Sequence, residues 1–272
     1  FTSGSTGKPK GVKVKKSALV NLIAGITSII DFSKLQTILC VTSACFDIFF
    51  VESTMALLLN KNVVLADTYD VQTPNKIINI IENGNIDVIQ MTPSRLLMIN
   101  ELDPLFSCLR KIKCLMVGGE PFPQKLLTIL RSNVDARIYN MYGPTETTVW
   151  STISDLTNKT EIDVGVPIKN TRIYILDNKQ MVLENGIKGE IGIAGDGIAD
   201  GYWEQDNLTK EKFITLPQNP NETVYLTGDL GVINSDGMLE CCGRVDNQIK
   251  IRGYRVELEE IEKNIEKMQG VK

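Results

Sequence analysis

Residues 1–12, FTSGSTGKPKGV, gather three glycines, the hydroxyls of Thr2, Ser3, Ser5 and Thr6, and the amines of Lys8 and Lys10 around Pro9. These residue types suit a grip on phosphates. Glycine lets backbone N–H groups converge on an anion, the hydroxyls add donors, and Lys8 supplies a compact positive charge. The spacing is not that of the GxxxxGK[ST] loop: Gly4 and Gly7 enclose two residues where that loop needs four, and Pro9 follows Lys8 in place of Ser or Thr. Pro9 also biases Lys8 toward extended backbone, so no helix dipole is expected behind the loop. A flexible Gly/Ser linker is the alternative this stretch leaves open.

The chemistry available elsewhere is narrowed by what the chain lacks. It contains no histidine, which removes Ser-His-Asp hydrolysis, Cys-His proteolysis, HExxH zinc chemistry and histidine base catalysis together. Six cysteines, Cys40, Cys45, Cys108, Cys114, Cys241 and Cys242, match neither CxxC metal spacing nor a small disulfide scaffold. They are expected to be reduced, mostly buried thiols of a cytoplasmic protein. A net charge of -4 argues against nucleic acid or a membrane surface as partner. The local run Lys8, Lys10, Lys13, Lys15 and Lys16 is read first as a solvated strand face, and second as a field that collects a polyphosphate. No apolar run approaches the length of a bilayer span, and no signal peptide precedes the first loop. Because Phe1 falls inside that loop, the chain is expected to be a fragment of something longer.

The elements that must position such residues follow from periodicity. Helices are expected over 17–31, near 52–59, over 74–84, from 94 and from 123. They alternate with short apolar strands at 37–43, 63–66, 87–91, from 113, and up to Gly143. This α/β alternation predicts a parallel sheet covered by helices on both faces, with ligands beyond the carboxyl ends of its strands. SACFD, VGGE and NMYGPTE fall at those predicted ends. After residue 150 the texture changes to short strands and turns, predicting an antiparallel β part with a hairpin turn at Asn234–Gly237. An amphipathic helix is expected over VELEEIEKNIEKM, on the spacing of Ile261, Ile265 and Met268.

Five separated stretches, TSGSTGKPKG, NMYGPTE, GEIGIAGDGIADGYW, YLTGDL and GRVDNQIKIRGYRVELEEIE, occur in the order used by one family. The chain thereby resembles the adenylate-forming (AMP-binding) superfamily, and within it the adenylation domains of nonribosomal peptide synthetases. The resemblance implies an ATP-dependent ligase that joins an amino-acid carboxylate to the α-phosphate of ATP. Pyrophosphate is released, and the acyl group then passes to a phosphopantetheine thiol on a carrier domain. Such a first step needs no general base, because the carboxylate is already ionised at neutral pH.

Carried over by motif, Thr2, Ser3, Thr6 and Lys8 would hold the β- and γ-phosphates. The amide of Asn140 would meet the adenine amino group and Tyr142 would stack on the base. Thr145 would reach the α-phosphate, and Glu146 would hold Mg²⁺. Asp229 and Arg244 would take the ribose, and Asp246 would be the hinge. The resemblance implies a partial large core over 1–245 with a parallel sheet and an antiparallel β subdomain. The hinge and the start of a small, truncated α+β C-terminal domain would follow over 246–272. Departures are Cys241 where the family has an aromatic residue, Asp200 at a usual arginine position and Glu259 at a usual glycine. The chain also ends at Lys272, before the family's late catalytic lysine, so the fragment alone is expected to be nearly inactive.

The resemblance also places the amino-acid pocket. Asp47 would pair with the α-ammonium group, and Ile48, Val51, Gln90, Met116, Gly118, Met141, Val149 and Trp150 would line the side-chain space. That set looks like the family's glycine-activating pattern, selecting by exclusion, with cysteine or alanine as the second choice. Partners would be a small amino acid and the peptidyl carrier and condensation domains of the same synthetase. An acyl-CoA synthetase, a D-alanine carrier-protein ligase and a non-catalytic docking fragment are the competing readings.

Overall fold

The computed structural model describes residues 1–2, 9–246, 248–251, 254–256, 261 and 265. Its contacts divide into two units. One comprises Phe1–Leu22, Gly143–Ser151 and Val166–Lys272, the other Ile23–Tyr142 and Thr152–Gly165.

The chain enters the second unit along α1 (Lys16–Ile29) and builds an α/β layer. Strands β1 (Thr37–Cys40), β2 (Asn62–Leu65), β3 (Val88–Met91), β4 (Cys114–Gly118), β5 (Arg137–Tyr142) and β6 (Thr152–Asp155) lie in the spatial order β2-β1-β3-β4-β5-β6. The pairs β1–β2, β1–β3, β3–β4 and β4–β5 are parallel. Strand β6 runs antiparallel to β5, so the expected parallel sheet is completed by one reversed strand. Between β1 and β2 the chain forms α2 (Ile48–Phe50), a π-helical turn (Val51–Met55) and α3 (Ala56–Leu58). This run starts earlier than the helix expected near 52.

Helix starts follow capping chemistry. The short α4 (Thr68–Gln72), which the periodicity did not predict, is held by a capping box between Asp67 and Asp70. Pro74 and Pro93 stand in the first turns of α5 (Pro74–Asn83) and α6 (Pro93–Leu102), where a missing N–H costs nothing. Together with α7 (Gln124–Asn133), these helices set Ile77, Ile81, Leu96, Ile99, Leu126, Leu127 and Leu130 against Leu39, Ile89, Leu115, Val117 and Ile138 of the sheet. Each such side chain contributes roughly 1.5–3 kcal/mol on burial. The opposite sheet face is equally closed, with Ile38, Cys40, Gln90, Met116 and Met141 all at 2% exposure or less.

The other unit is antiparallel, as the short strands and turns predict. It contains β7 (Val166–Pro167), β8 (Thr171–Leu176), β9 (Gly189–Gly195), α8 (Asp206–Lys212), β10 (Phe213–Leu216), β11 (Asn219–Ile233) and β12 (Leu239–Arg244). The order β10-β11-β9-β8 forms one sheet, with β12 paired to β11. A two-stranded ribbon of β13 (Ile249–Ile251) and β14 (Tyr254–Val256) follows. The predicted 234–237 hairpin turn is present. Gly237 sits at φ +77, and Asn234 Oδ1 accepts from the N–H groups of Asp236 and Met238. Of the expected terminal helix, Val256 instead ends strand β14, while Ile261 and Ile265 are helical; its remainder, Glu259 included, lies outside the described residues.

Two expectations are corrected. Lys10 is not part of a solvated face: it is 6% exposed, bridged to Thr2, with its ammonium 4.9 Å from the centre of the Tyr202 ring. Lys13, Lys15 and Lys16 are exposed as expected. The cysteines are not mostly buried, since Cys45, Cys241 and Cys242 are exposed while Cys40, Cys108 and Cys114 are buried; all six are free thiols. Burial pushes the Cys108 and Cys114 thiols up to about 12, so these two behave as packing groups.

Candidate active site

SACFD and VGGE lie in the α/β unit where the strand-end rule puts them, after β1 and at the end of β4, and NMYGPTE begins in β5 and runs past its end. The register then sorts the candidate pocket residues. Gln90 pairs with Met116 across β3 and β4, and Gly118 pairs with Met141 across β4 and β5. Since side chains alternate along a strand, these four occupy two successive rows on one face. All are buried, and Gln90 Nε2 has no hydrogen-bond partner among the described residues. Asp47 stands at the start of α2, where its carboxylate makes no capping bond to the helix. Ile48 and Val51 follow on the same helical run. A Cβ placed on Gly119 would lie 3.8 Å from Ile48 Cδ1, so the helix start reaches the end of β4.

Asn140, also in this unit, is 4% exposed and donates from Nδ2 to the Asp163 main-chain oxygen at 2.8 Å. A carbonyl can only accept, so the bond fixes which way the amide points. It leaves Oδ1 as an acceptor. Tyr142, half-buried, closes β5 opposite Thr152.

The antiparallel unit carries the other candidates. Thr2 and Lys10 exchange backbone hydrogen bonds of 2.9 and 2.8 Å and so close the base of the glycine loop. Thr2 Oγ1 is buried without a partner among the described residues. Ser3, Thr6 and Lys8 lie outside them. After Gly143 the backbone folds tightly: a Cβ at Gly143 would sit 2.7 Å from both Ser151 N and Val149 O. Thr145, Glu146 and Thr147 form a single 3-10 turn. Thr148 and Val149 then adopt φ +63 and +66, which is strained backbone for β-branched residues. Hydrogen bonds hold that geometry, Thr148 to Gly197 O at 2.7 Å and Thr147 to Ser151 at 2.6 Å. Trp150, at 2% exposure, is set directly after the strained pair, and its indole N–H has no partner among the described residues.

Glu146 is 0% exposed, and the Tyr202 hydroxyl donates to its Oε1 at 2.8 Å. Burial, together with the neighbouring Tyr225 and Glu146, pushes the Tyr202 hydroxyl up, so it remains a donor. Replacing Tyr202 with phenylalanine deprives a buried carboxyl of that donor. The expected loss is about 1–3 kcal/mol of unfolding free energy, measured by denaturant titration, against a near-neutral result if the bond is idle.

The TGD of YLTGDL is a bulge. The register of β11 against β9 shifts between Leu226 and Leu230, and against β12 between Asp229 and Gly231. Bulges re-aim side chains, and this one pairs Asp229 with Arg244. Arg244 binds Asp229 Oδ1 through Nη1 and grips Asp246 with Nε at 2.6 Å and Nη2 at 2.8 Å. Gly228, at φ +74, leaves room for the pair, because a Cβ there would fall 2.7 Å from Arg244 Nη2. Asp229 and Asp246 therefore share the one guanidinium of Arg244.

Motif reading missed Tyr202, Lys10 and Glu52, a carboxyl at 0% exposure. Only burial identifies them, and no local pattern announces it. A cleft of about 780 Å³ in the antiparallel unit, lined in part by Lys15, Arg172, Asp200 and Glu222, contains none of the candidates. Its two cations are paired, Lys15 with Asp200 and Arg172 with Glu222. No described helix is long and apolar enough to cross a membrane.

Residues 1–203 match the family model described as AMP-binding enzyme. The dimodular nonribosomal peptide synthase of Bacillus subtilis (strain 168) is 38% identical over 265 residues, covering 96% of this chain and 11% of that protein. Holo-PA1221, a solved synthetase protein containing adenylation and PCP domains bound to a vinylsulfonamide inhibitor, matches with a TM-score of 0.89. Its identity is 28%, over 99% of this chain and 48% of its own. Holo-AB3403, a four-domain nonribosomal peptide synthetase bound to AMP and glycine, gives a TM-score of 0.80 at 34% identity, over 97% of this chain and 20% of its own. The chain spans less than a quarter of the length of the curated relatives it matches, 22% in the surfactin synthase subunit 3 of Bacillus subtilis (strain 168). With its motifs and these matches in agreement, the chain belongs to the AMP-binding enzyme family, as a nonribosomal peptide synthetase adenylation domain.

Proposed function

We propose that this chain is part of an adenylation domain that, within the full-length protein, activates an amino acid, glycine before cysteine or alanine, for a synthetase module. The amino-acid carboxylate attacks the α-phosphate of ATP, pyrophosphate leaves, and the aminoacyl group then moves to a phosphopantetheine thiol on a peptidyl carrier domain. A condensation domain would be the next partner. Within this reading Thr2, Ser3, Thr6 and Lys8 hold the outgoing phosphates, and Asn140 and Tyr142 hold the base. Thr145 meets the α-phosphate, and Asp229 and Arg244 take the ribose. Asp246 is the hinge, with the domain boundary at that residue.

The observation that carries the small-substrate reading is the pair of rows Gln90–Met116 and Gly118–Met141, buried side by side on one sheet face. Two methionines there oppose any side chain larger than hydrogen. An added methyl group in a filled site costs about 1–3 kcal/mol, which favours glycine over alanine by roughly tenfold or more. Asp47 supports an amino acid over a plain carboxylic acid, since a carboxylate is the natural partner of an ammonium group.

For the metal, the described residues contain no cluster of three or more His, Cys, Asp or Glu side chains. Mg²⁺ is characteristically held through one or two carboxylates together with substrate phosphates, so a single protein carboxylate can serve it. Glu146, oriented by Tyr202, is the carboxylate assigned to it. The ion, when bound, neutralises phosphate charge.

The test is exchange of labelled pyrophosphate into ATP by the full-length protein. Exchange should depend on glycine and run roughly tenfold or more slower with alanine. No exchange above background with any small amino acid overturns the proposal.

A further inference from the structure

The end of β1 is held by a carboxylate that none of the roles above uses. Glu52 lies in the π-helical turn Val51–Met55 and is fully buried. Its Oε2 accepts from the N–H groups of Val41 at 2.9 Å and Thr42 at 2.8 Å, and its Oε1 accepts from the Thr42 hydroxyl at 2.6 Å. From the other side, Arg95 Nη1 donates to the Val41 carbonyl at 3.2 Å. Strand β1 pairs with β2 only as far as Cys40, so beyond it the chain leaves the ladder and its N–H groups need another acceptor. Glu52 is that acceptor, and burying an ionisable group costs several kcal/mol unless it is well partnered.

The bonds fasten the two ends of one loop. The chain leaves β1 at Val41, passes through Ser43, Ala44 and the exposed Cys45, reaches Asp47 and Ile48, and returns to Val41 through Glu52 one turn later. We infer that Glu52 is a positioning residue for amino-acid recognition, fixing the loop that presents Asp47 and Ile48. The inference rests on the amino-acid-activating reading. A recognition carboxylate on an untethered loop samples many orientations, and a misplacement of about 1 Å can cost two orders of magnitude in rate. Glu52 suppresses that freedom from inside the core, without touching the substrate.

The test compares Glu52→Ala with the isosteric Glu52→Gln in the full-length protein, by two measurements. In amide hydrogen exchange, the peptide spanning Val41 to Asp47 should exchange about tenfold faster in the alanine variant and at the wild-type rate in the glutamine variant. In pyrophosphate exchange, the KM for the amino acid should rise roughly tenfold or more in Glu52→Ala while the KM for ATP stays within about threefold, and Glu52→Gln should restore both. If Glu52→Ala does not fold, Glu52→Asp, which keeps the charge but retracts it by one methylene, takes its place with the same expectations. Unchanged protection of the 41–47 peptide overturns the inference. So does a loosened loop that shifts both KM values equally or neither. An inactive wild type is a separate outcome: it removes the amino-acid-activating reading, and with it this role for Glu52.

Discussion

Replacing Asp47 with alanine is expected to lower amino-acid-dependent pyrophosphate exchange by at least about a hundredfold, with the KM for ATP nearly unchanged. Truncating one partner of a hydrogen-bonded charge pair costs about 2–5 kcal/mol, much of it from leaving the other charge unmatched. The orphaned charge in this case is the substrate ammonium group. The fold should survive, because the core of the unit is built from other residues. Exchange driven by a simple carboxylic acid should be unaffected, which separates an amino-acid-activating domain from an acyl-CoA synthetase of the same superfamily. Equal losses with both kinds of acid would assign Asp47 a structural role and overturn the ammonium assignment.

The second large effect is on stability. Burial pushes the Glu52 carboxyl up from 4.5 to about 7, against the Thr42 and Val41 donors, which pull it down. A carboxyl raised in the folded state stabilises the protein when protonated. That contribution is fully present below the unfolded value of 4.5 and is lost as pH rises through 7. Between pH 5 and pH 8 the wild type should lose roughly 2–3 kcal/mol of unfolding free energy from this group.

The comparison with Glu52→Gln isolates this group from any other that titrates in the window. The chain has no histidine. At Asp87 burial is outweighed by Lys113 and the N–H groups of Gln36 and Thr37, and at Glu222 by Arg172 and Tyr174. Both carboxyls lie below their usual range, so their contributions fade only at lower pH. The neighbouring Cys40 thiol, pushed up to about 12 by burial and by Glu52, stays protonated throughout. Glu52→Gln cannot titrate, and its amide still accepts the Val41 and Thr42 N–H groups through oxygen. Urea unfolding at pH 5 and pH 8 should show the loss in the wild type and its absence in the variant. Parallel pH dependences would show that the carboxyl does not titrate in this range.

The same residue marks the limit of what periodicity can reveal. Runs such as DVIQM and KCLMVGG are short, apolar and bounded by polar turns, so the alternation of strand and helix was legible without coordinates. The positions of Asp47, Gly118 and Tyr142 at strand ends were legible for the same reason, since a strand's carboxyl end is a local feature. The turn at Asn234–Gly237 was equally readable, because an Asp-Gly pair tolerates positive φ whatever surrounds it. Strand direction was less so. Strand β6 was not named as a strand, and its pairing with β5 in the α/β sheet was not anticipated, because pairing depends on a neighbour rather than on the strand's own residues.

Burial belonged to the tertiary structure. Lys10 reads as one lysine in a basic run, and it is tertiary contacts, among them the Tyr202 ring above it and the bridge to Thr2, that enclose it. Thr148 and Val149, unfavourable residues for positive φ, are held there by hydrogen bonds to Gly197 and between Thr147 and Ser151. The fork of Arg244 onto Asp229 and Asp246 needs a bulge in β11 that brings residues 15 positions apart within reach. By itself the sequence determined which residue types stand at which strand ends, because hydrophobic periodicity and turn chemistry act over a few residues. Which carboxyls are enclosed, which backbone is strained and which charges share a partner were decided only by the packed chain, because those properties depend on atoms distant in sequence.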